Sequence, residues 1–326
     1  MDKNELHLLL EPLRKIQDFF LEEYGVDDIW SNSKIYEIII ANQIEHELIP
    51  GHSGSKDAKD LQGNIYEYKH YKESSSNHTW TFNDYSDSTI ESLSNIRSVV
   101  FAHIDDSGET EIFDWYYEVP GINIAEHLKG ITKASRNTRK MWNVSHSQIE
   151  NKLKINRTPA DRKNNKNGKY FDQLNKIFKT RKKLESFTGV ANILTSNKLW
   201  EVLVAAELNH KVNSEQGGRA GAHDAVDNDG NFYEYKVSKT YSWQFQDISE
   251  NVLKKYLVDK KIILAVVDKT LLRVKEIFSA EPVLVVKLLN KKLSEKRNKG
   301  KEIRRLQVSL TKGDLSLINA QKLYKF

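Results

Sequence analysis

The stretch GNIYEYK at residues 63–69 returns as GNFYEYK at residues 230–236, 167 positions further on. The likeness continues on both sides. Upstream, at a shift of 164, Gly25-Val26 matches Gly189-Val190, and IYEIIIANQIEH (35–46) lies over LWEVLVAAELNH (199–210). Glu37 thus meets Glu201, and His46 meets His210. Downstream, at a shift of 163, TWTFND (79–84) matches SWQFQD (242–247) and VVFA (99–102) matches IILA (262–265). Val144-Ser145 and Val308-Ser309 form the last pair. Matches that keep their order with gaps of a few residues mark a tandem duplication. The expected organisation is one domain over 1–155, a second over 171–326, and a polar, basic linker at 156–170 (NRTPADRKNNKNGKY).

Each copy has the same coarse pattern. Leu10, Leu13, Ile16 and Phe20 fall at helical spacing, and a second amphipathic helix carries Glu37 or, in the other copy, Glu201. A hairpin follows, DAKD-LQG-NIYEYK or DAVD-NDG-NFYEYK. Residues 88–93 and 247–256 then read as helix, and 99–103 and 262–267 as a buried strand. Helix, hairpin, helix and strand in this order predict an α/β fold: a mixed β-sheet flanked by helices in each half.

The hairpin carries chemistry if its register is right. A three-residue loop ending on a left-handed glycine pairs residue 224 with 234 and residue 57 with 67. Asp224 then stands across from Glu234, and Asp57 across from Glu67. A two-residue turn would instead bring Asp60 and Asp227 onto the Glu face. Alternation places Glu67 and Lys69 on one side of the strand and Tyr68 on the other. Two carboxylates side by side call for a neutralising cation, and hard oxygen ligands with few donors suit Mg²⁺, with Mn²⁺ as a substitute. A lysine beside them can orient a water or stabilise charge on a phosphorane. An acid-x-Lys triplet alone is cheap in a chain with 29% charged residues; Asp161-Arg162-Lys163 and Asp259-Lys260-Lys261 are two others. The partner Asp, the turn and the second copy separate these two triplets from the rest.

With those residues the chain resembles the PD-(D/E)XK nuclease superfamily, most of all type II restriction endonucleases. The resemblance rests on Asp57…Glu67-Tyr68-Lys69 and Asp224…Glu234-Tyr235-Lys236, and covers the core of each half. It implies two tandem restriction-endonuclease-like domains forming an internal pseudodimer. Asp57, Glu67, Asp224 and Glu234 would be metal ligands, with Lys69 and Lys236 the catalytic lysines. Glu37 and Glu201 correspond to a further acid that many members carry on the preceding helix. No proline precedes either Asp; Lys56 and His223 stand there.

Composition narrows the rest. No apolar run approaches a membrane span, the N-terminal residues do not read as a signal peptide, and zero cysteines exclude disulfides and thiolate zinc sites. A cytoplasmic protein without membrane attachment is expected. Net charge is only +5, yet residues 152–183 hold twelve Lys/Arg and residues 287–305 hold nine. Basic residues at equivalent places in the copies suggest a DNA-facing element: Lys133, Arg136, Arg139 and Lys140 in one, Lys296, Arg297, Lys299 and Lys301 in the other. His52, His78, His103 and His146 lack metal-site spacing, and Trp80 and Trp243 read as core. The function expected is cleavage of both strands of a specific duplex DNA site by a monomer with one active site per strand. A cognate DNA methyltransferase is the implied cellular partner. The alternatives are a structure-specific, repair or non-specific defence nuclease, and a DNA-binding protein whose sites no longer turn over.

Overall fold

The computed structural model describes residues 1–31, 33–50, 56–83, 86–134, 141–161, 163, 165–195, 198–213, 223–298 and 307–326. Two compact units emerge: Lys15–Phe178, and Met1–Arg14 together with Lys179–Phe326. Helix α1 (Lys3–Tyr24) contributes residues to both units, its stripe of Leu6, Leu10, Leu13, Ile16 and Phe20 being buried.

The first unit continues with α2 (Lys34–Gln43), β1 (Glu47–Leu48), β2 (Ala58–Lys59), β3 (Ile65–Lys72), β4 (Trp80–Phe82), α3 (Asp87–Ser94), β5 (Ser98–Asp105), β6 (Ile112–Pro120), α4 (Gly121–Ala134), β7 (Trp142–Val144), a π-helical turn (Gln148–Lys152) and β8 (Thr158–Pro159). Its main sheet has six strands in the order β1-β2-β3-β5-β6-β8. Only β3 and β5 run parallel, so the chain must cross over between them, and β4 and α3 fill that crossover. Seven of the eight residues of β5 are buried, as a central strand covered on both faces requires. Trp80 and Phe82 pack with Ile90, Leu93, Phe101, Ile124 and Leu128 on one face. Helix α3 begins at a reciprocal capping box between Ser86 and Thr89.

The second unit repeats this plan. Helix α5 (Phe171–Thr188) straddles the two units, and α6 (Lys198–Leu208) follows. Then come β9 (Lys211–Val212), β10 (Ala225–Val226), β11 (Phe232–Ser238), β12 (Ser242–Phe245), α7 (Glu250–Tyr256), β13 (Lys261–Asp268), β14 (Arg273–Ala280), α8 (Pro282–Asn298), β15 (Val308–Thr311), a 3₁₀ turn (Lys312–Asp314) and β16 (Gln321–Lys325). The sheet order is β16-β14-β13-β11-β10-β9, with β11 and β13 the parallel pair. The chain is thus a mixed α/β protein with two six-stranded mixed sheets. The buried Trp80 and Trp243 make the same bond, each indole N–H donating to a central-strand carbonyl, Ala102 at 2.9 Å and Ala265 at 2.8 Å. No helix among the described residues is long and apolar enough to cross a membrane.

Three details differ from expectation. Helix α7 starts at Glu250 rather than at 247, because Asp247 has a left-handed φ of 52° and Ser249 caps the helix by accepting from Val252 N. The last pair of the repeat shifts by two residues: Val308 faces Phe245 as Trp142 faces Phe82, so Val144 corresponds to Leu310. Residues 156–170 are not a free tether. Thr158–Pro159 pairs with β6, Tyr170 N donates to Asn42 Oδ1 at 3.0 Å, and the Tyr170 hydroxyl accepts from Leu48 N at 2.9 Å. Gly168 lies so close to Asn42 that a Cβ there would stand 2.2 Å from Asn42 Oδ1 and 2.5 Å from its carbonyl oxygen. Gly168→Ala is therefore expected to destabilise the first unit by about 2–3 kcal/mol, in the range of overpacked sites. A tether would tolerate it, so an unchanged urea midpoint would contradict this anchoring.

Candidate active site

The site of each unit is built on its hairpin. Ala58 pairs with Tyr66 and Lys59 with Ile65; Ala225 pairs with Tyr233 and Val226 with Phe232. Beyond these pairs the ladder becomes irregular: Asp57 N donates to Tyr66 O at 2.8 Å, and Asp224 N to Tyr233 O at 2.9 Å. Each aspartate therefore sits beside the start of its Glu-Tyr-Lys strand rather than squarely across from Glu67 or Glu234. The turn fixes the register of the paired residues. Asp60 N bonds Asn64 O, and Asp227 N bonds Asn231 O, each at 3.0 Å, leaving three loop residues that end on Gly63 or Gly230. Those glycines have φ of 81° and 82°. A Cβ at either would meet nothing within 4 Å, so the turn needs glycine for its left-handed backbone, not for space. Asp60 and Asp227 do not join the Glu face. They close the turn instead, Asp60 Oδ1 accepting from Gln62 N and Asn64 N, and Asp227 Oδ1 from Asp229 N and Asn231 N, all at 2.9 Å.

Strand alternation then sorts the side chains. Tyr68 and Tyr235 point to the back, where their hydroxyls share hydrogen bonds with His46 Nδ1 at 2.9 Å and His210 Nδ1 at 2.8 Å. On the front, Lys69 is ion-paired with Glu67 and Lys236 with Glu234. Both glutamates are buried, at 3% and 4% exposure. Each lysine ammonium lies over an aromatic ring, Lys69 5.3 Å from Phe82 and Lys236 5.5 Å from Phe245. The hairpin aspartates bend back to the backbone: Asp57 Oδ2 accepts from Tyr68 N at 2.6 Å, and Asp224 Oδ2 from Tyr235 N at 2.8 Å.

The helix acids belong to the same charge clusters. Burial, and next the Asp57 carboxylate, push Glu37 up to about 8, against the pull of Lys34 and Lys69. Glu201 is pushed up to about 7 by burial and Asp224, against Lys198 and Lys236. Burial likewise raises Glu234 to about 8, with Lys236 opposing. Sequence reasoning missed Lys34 and Lys198, which pair with Glu37 and Glu201. The signal was present, since the repeat aligns the two lysines at the same shift as the glutamates. It also missed an asymmetry. In the second unit His223 Nδ1 meets Asp259 Oδ1 at 2.6 Å beside Asp224, while the first unit has Lys56 and Ile96 at those places.

The remaining predicted residues are dispersed. Lys133 is exposed near the end of α4, and Lys296 on α8 donates to Gln307 O at 2.8 Å. Arg297 lies in α8, which follows β14 as α4 follows β6. Arg136, Arg139, Lys140, Lys299, Lys301 and His52 lie outside the described residues. His103 is buried between Asp114 and Glu73, and His146 bonds the Tyr71 hydroxyl, consistent with structural roles.

Among the described residues no three carboxylate or imidazole side chains already form a cage for a metal ion. The donor set nevertheless suits a hard cation. Each hairpin brings one aspartate and one glutamate from its two strands together with a lysine, and in the second unit Glu234 Oε2 is buried without a hydrogen-bond partner. An orphaned buried carboxylate oxygen is costly unless something else binds it. No protein-family model and no curated protein sequence matches the chain.

A carboxyl with a raised folded-state pKa binds its proton more tightly in the folded protein than in the unfolded chain. Its stabilising contribution is complete below the ordinary value of 4.5 and is lost as pH rises through about 8 for Glu37. Glu37→Gln should therefore leave the melting temperature of metal-free protein unchanged near pH 5. Near pH 8.5 it should raise stability by about 1 kcal/mol or more. A stabilisation that is equal at both pH values would show that ionisation of this buried acid carries no such cost.

Proposed function

We propose that the chain is a Mg²⁺-dependent endonuclease of double-stranded DNA, of the PD-(D/E)XK kind and closest in type to type II restriction enzymes. One observation carries this: the same aspartate, glutamate and lysine are built twice, on the two strands of the same hairpin, each with a partly buried helix acid beside them. Asp57 and Glu67 in one unit, and Asp224 and Glu234 in the other, are the residues that would hold the cation. When bound, that ion supplies Lewis-acid activation of water and neutralises phosphate charge.

The protein's own groups do the rest. Burial of Glu67 and Glu234 at the hairpin fixes each carboxylate so that little reorganisation accompanies reaction. Lys69 and Lys236, seated over Phe82 and Phe245, hold an ammonium where negative charge grows on the phosphorane oxygens. Lysines and arginines on and beyond α4 and α8 would engage the DNA backbone, giving salt-dependent affinity. Two sites in one chain supply what a homodimer supplies to the two strands of a duplex, and so the chain acts as a monomeric pseudodimer. A host that carries a sequence-specific enzyme of this kind needs a methyltransferase that protects its own sites.

A supercoiled plasmid incubated with Mg²⁺ is expected to give discrete linear fragments, and chelation with EDTA to abolish cutting. A smear would assign the chain to non-specific defence nucleases, and tight binding without cutting to silent DNA-binding proteins. Glu67→Gln should nick one strand and Glu234→Gln the other, each losing about 10²-fold or more on its own strand. Undiminished double-strand cutting by either variant would refute the division of labour.

A further inference from the structure

Helices α2 and α6 align as KIYEIIIANQ over KLWEVLVAAE, and only the lysine, the glutamate and one alanine are identical. The apolar positions have drifted freely between Ile, Val and Leu, as core positions do when volume is kept. The Lys–Glu pair has not, although two physical costs oppose it. Each lysine occupies the first position of its helix, where the positive end of the helix dipole disfavours a cation. Each pair is also largely withdrawn from water, where attraction rarely repays desolvation. Side-chain exposure is 2% for Lys34 and 16% for Glu37, and 17% and 16% for Lys198 and Glu201.

Helix α2 packs against β3 and helix α6 against β11, so each pair lies beside its hairpin. Lys34 binds Glu37, whose charge is coupled to Asp57 and Lys69. Lys198 Nζ binds Glu201 Oε2 at 2.5 Å, and its charge also acts on Asp224. At 2% exposure Lys34 cannot reach a DNA phosphate, so it acts on the site only through the acid it holds.

We infer that Lys34 and Lys198 are positioning residues of the two sites, each fixing the helix carboxylate, Glu37 or Glu201, toward the hairpin acids that receive the divalent cation. This rests on reading the hairpins as metal-dependent nuclease centres. Groups that orient a metal's carboxylates commonly change metal affinity by about 10–100-fold when removed. Losing the lysine leaves the glutamate beside Asp57 or Asp224 without its counter-charge, free to turn from the hairpin.

The second site is the better one to test, because Lys198 is the less buried lysine. In a Glu67→Gln background, which silences the first site, Mn²⁺ binding to metal-stripped protein is measured by calorimetry without DNA. Lys198→Met should weaken Mn²⁺ binding about 10-fold or more, and Lys198→Arg should restore most of it. Lys198→Met should weaken binding no further when added to Glu201→Gln. That last comparison removes both members of the pair and serves even if Lys198→Met alone unfolds. Parent-like Mn²⁺ binding by folded Lys198→Met, or an undiminished loss in the Glu201→Gln background, would overturn the inference and leave the nuclease reading standing. If the unmutated protein neither binds Mn²⁺ nor cuts DNA, the nuclease reading falls first, and the inference with it.

Discussion

Two glycines at φ near +80° close the hairpins on which both candidate sites are built. Gly63 and Gly230 end three-residue loops, and a loop of that length sets Ala58 opposite Tyr66 and Ala225 opposite Tyr233, which brings Asp57 and Asp224 to the strands that carry Glu67 and Glu234. Shortening the loop by one residue would move the aspartates to the other face of the pleat, because side chains alternate with a period of two. The turn is locked by its own chemistry. Asp60 and Asp227 spend their carboxylates on the loop N–H groups and on the hydroxyls of Tyr66 and Tyr233. Two kinds of aspartate, three residues apart, thus have different tasks: one closes the turn, the other bonds the backbone of the Glu-Tyr-Lys strand.

Each site balances buried charge in a consistent way. Two lysines stand against three acids: Lys69 on Glu67 and Lys34 on Glu37 in one unit, Lys236 on Glu234 and Lys198 on Glu201 in the other. The hairpin aspartate takes a backbone N–H. Burial raises Glu37, Glu201 and Glu234, with Asp57 adding to it at Glu37 and Asp224 at Glu201 and Glu234, against the pull of the paired lysines. This arrangement sacrifices stability at the site, which is common where function requires it. The units are not identical in this respect. Asp259, with His223 on it, adds a further acid beside Asp224, whereas Ile96 and Lys56 occupy the corresponding places in the first unit.

Much of this was legible in the sequence because it is local or repeated. The hairpin register follows from turn chemistry, the Glu–Lys face from strand alternation, and Trp80 and Trp243 as core from their aromatic-x-aromatic strands. The duplicated order of elements turned weak motifs into matched pairs. Less was legible where tertiary contacts overrode local composition. Residues 156–170 have the composition of a linker, yet Asn42 and Leu48 engage Tyr170, and β6 takes up Thr158–Pro159. The roles of Lys34 and Lys198 were hidden because a lysine beside a helix start reads as a solvated surface residue until its burial is known.

By itself, then, the sequence determined what neighbouring residues can settle: two copies, one hairpin each, an Asp facing a Glu-Tyr-Lys strand, and a mixed α/β plan. These depend on backbone geometry over a dozen residues, where glycine conformation and alternation leave few choices. Only the tertiary structure decided which helix residues stand behind the hairpin and how α1 and α5 are divided between the compact units. It also decided that Asp259 joins one site and not the other. Such contacts join residues far apart in the chain, and their energies come from burial and from the balance of charges brought together, which no local pattern encodes.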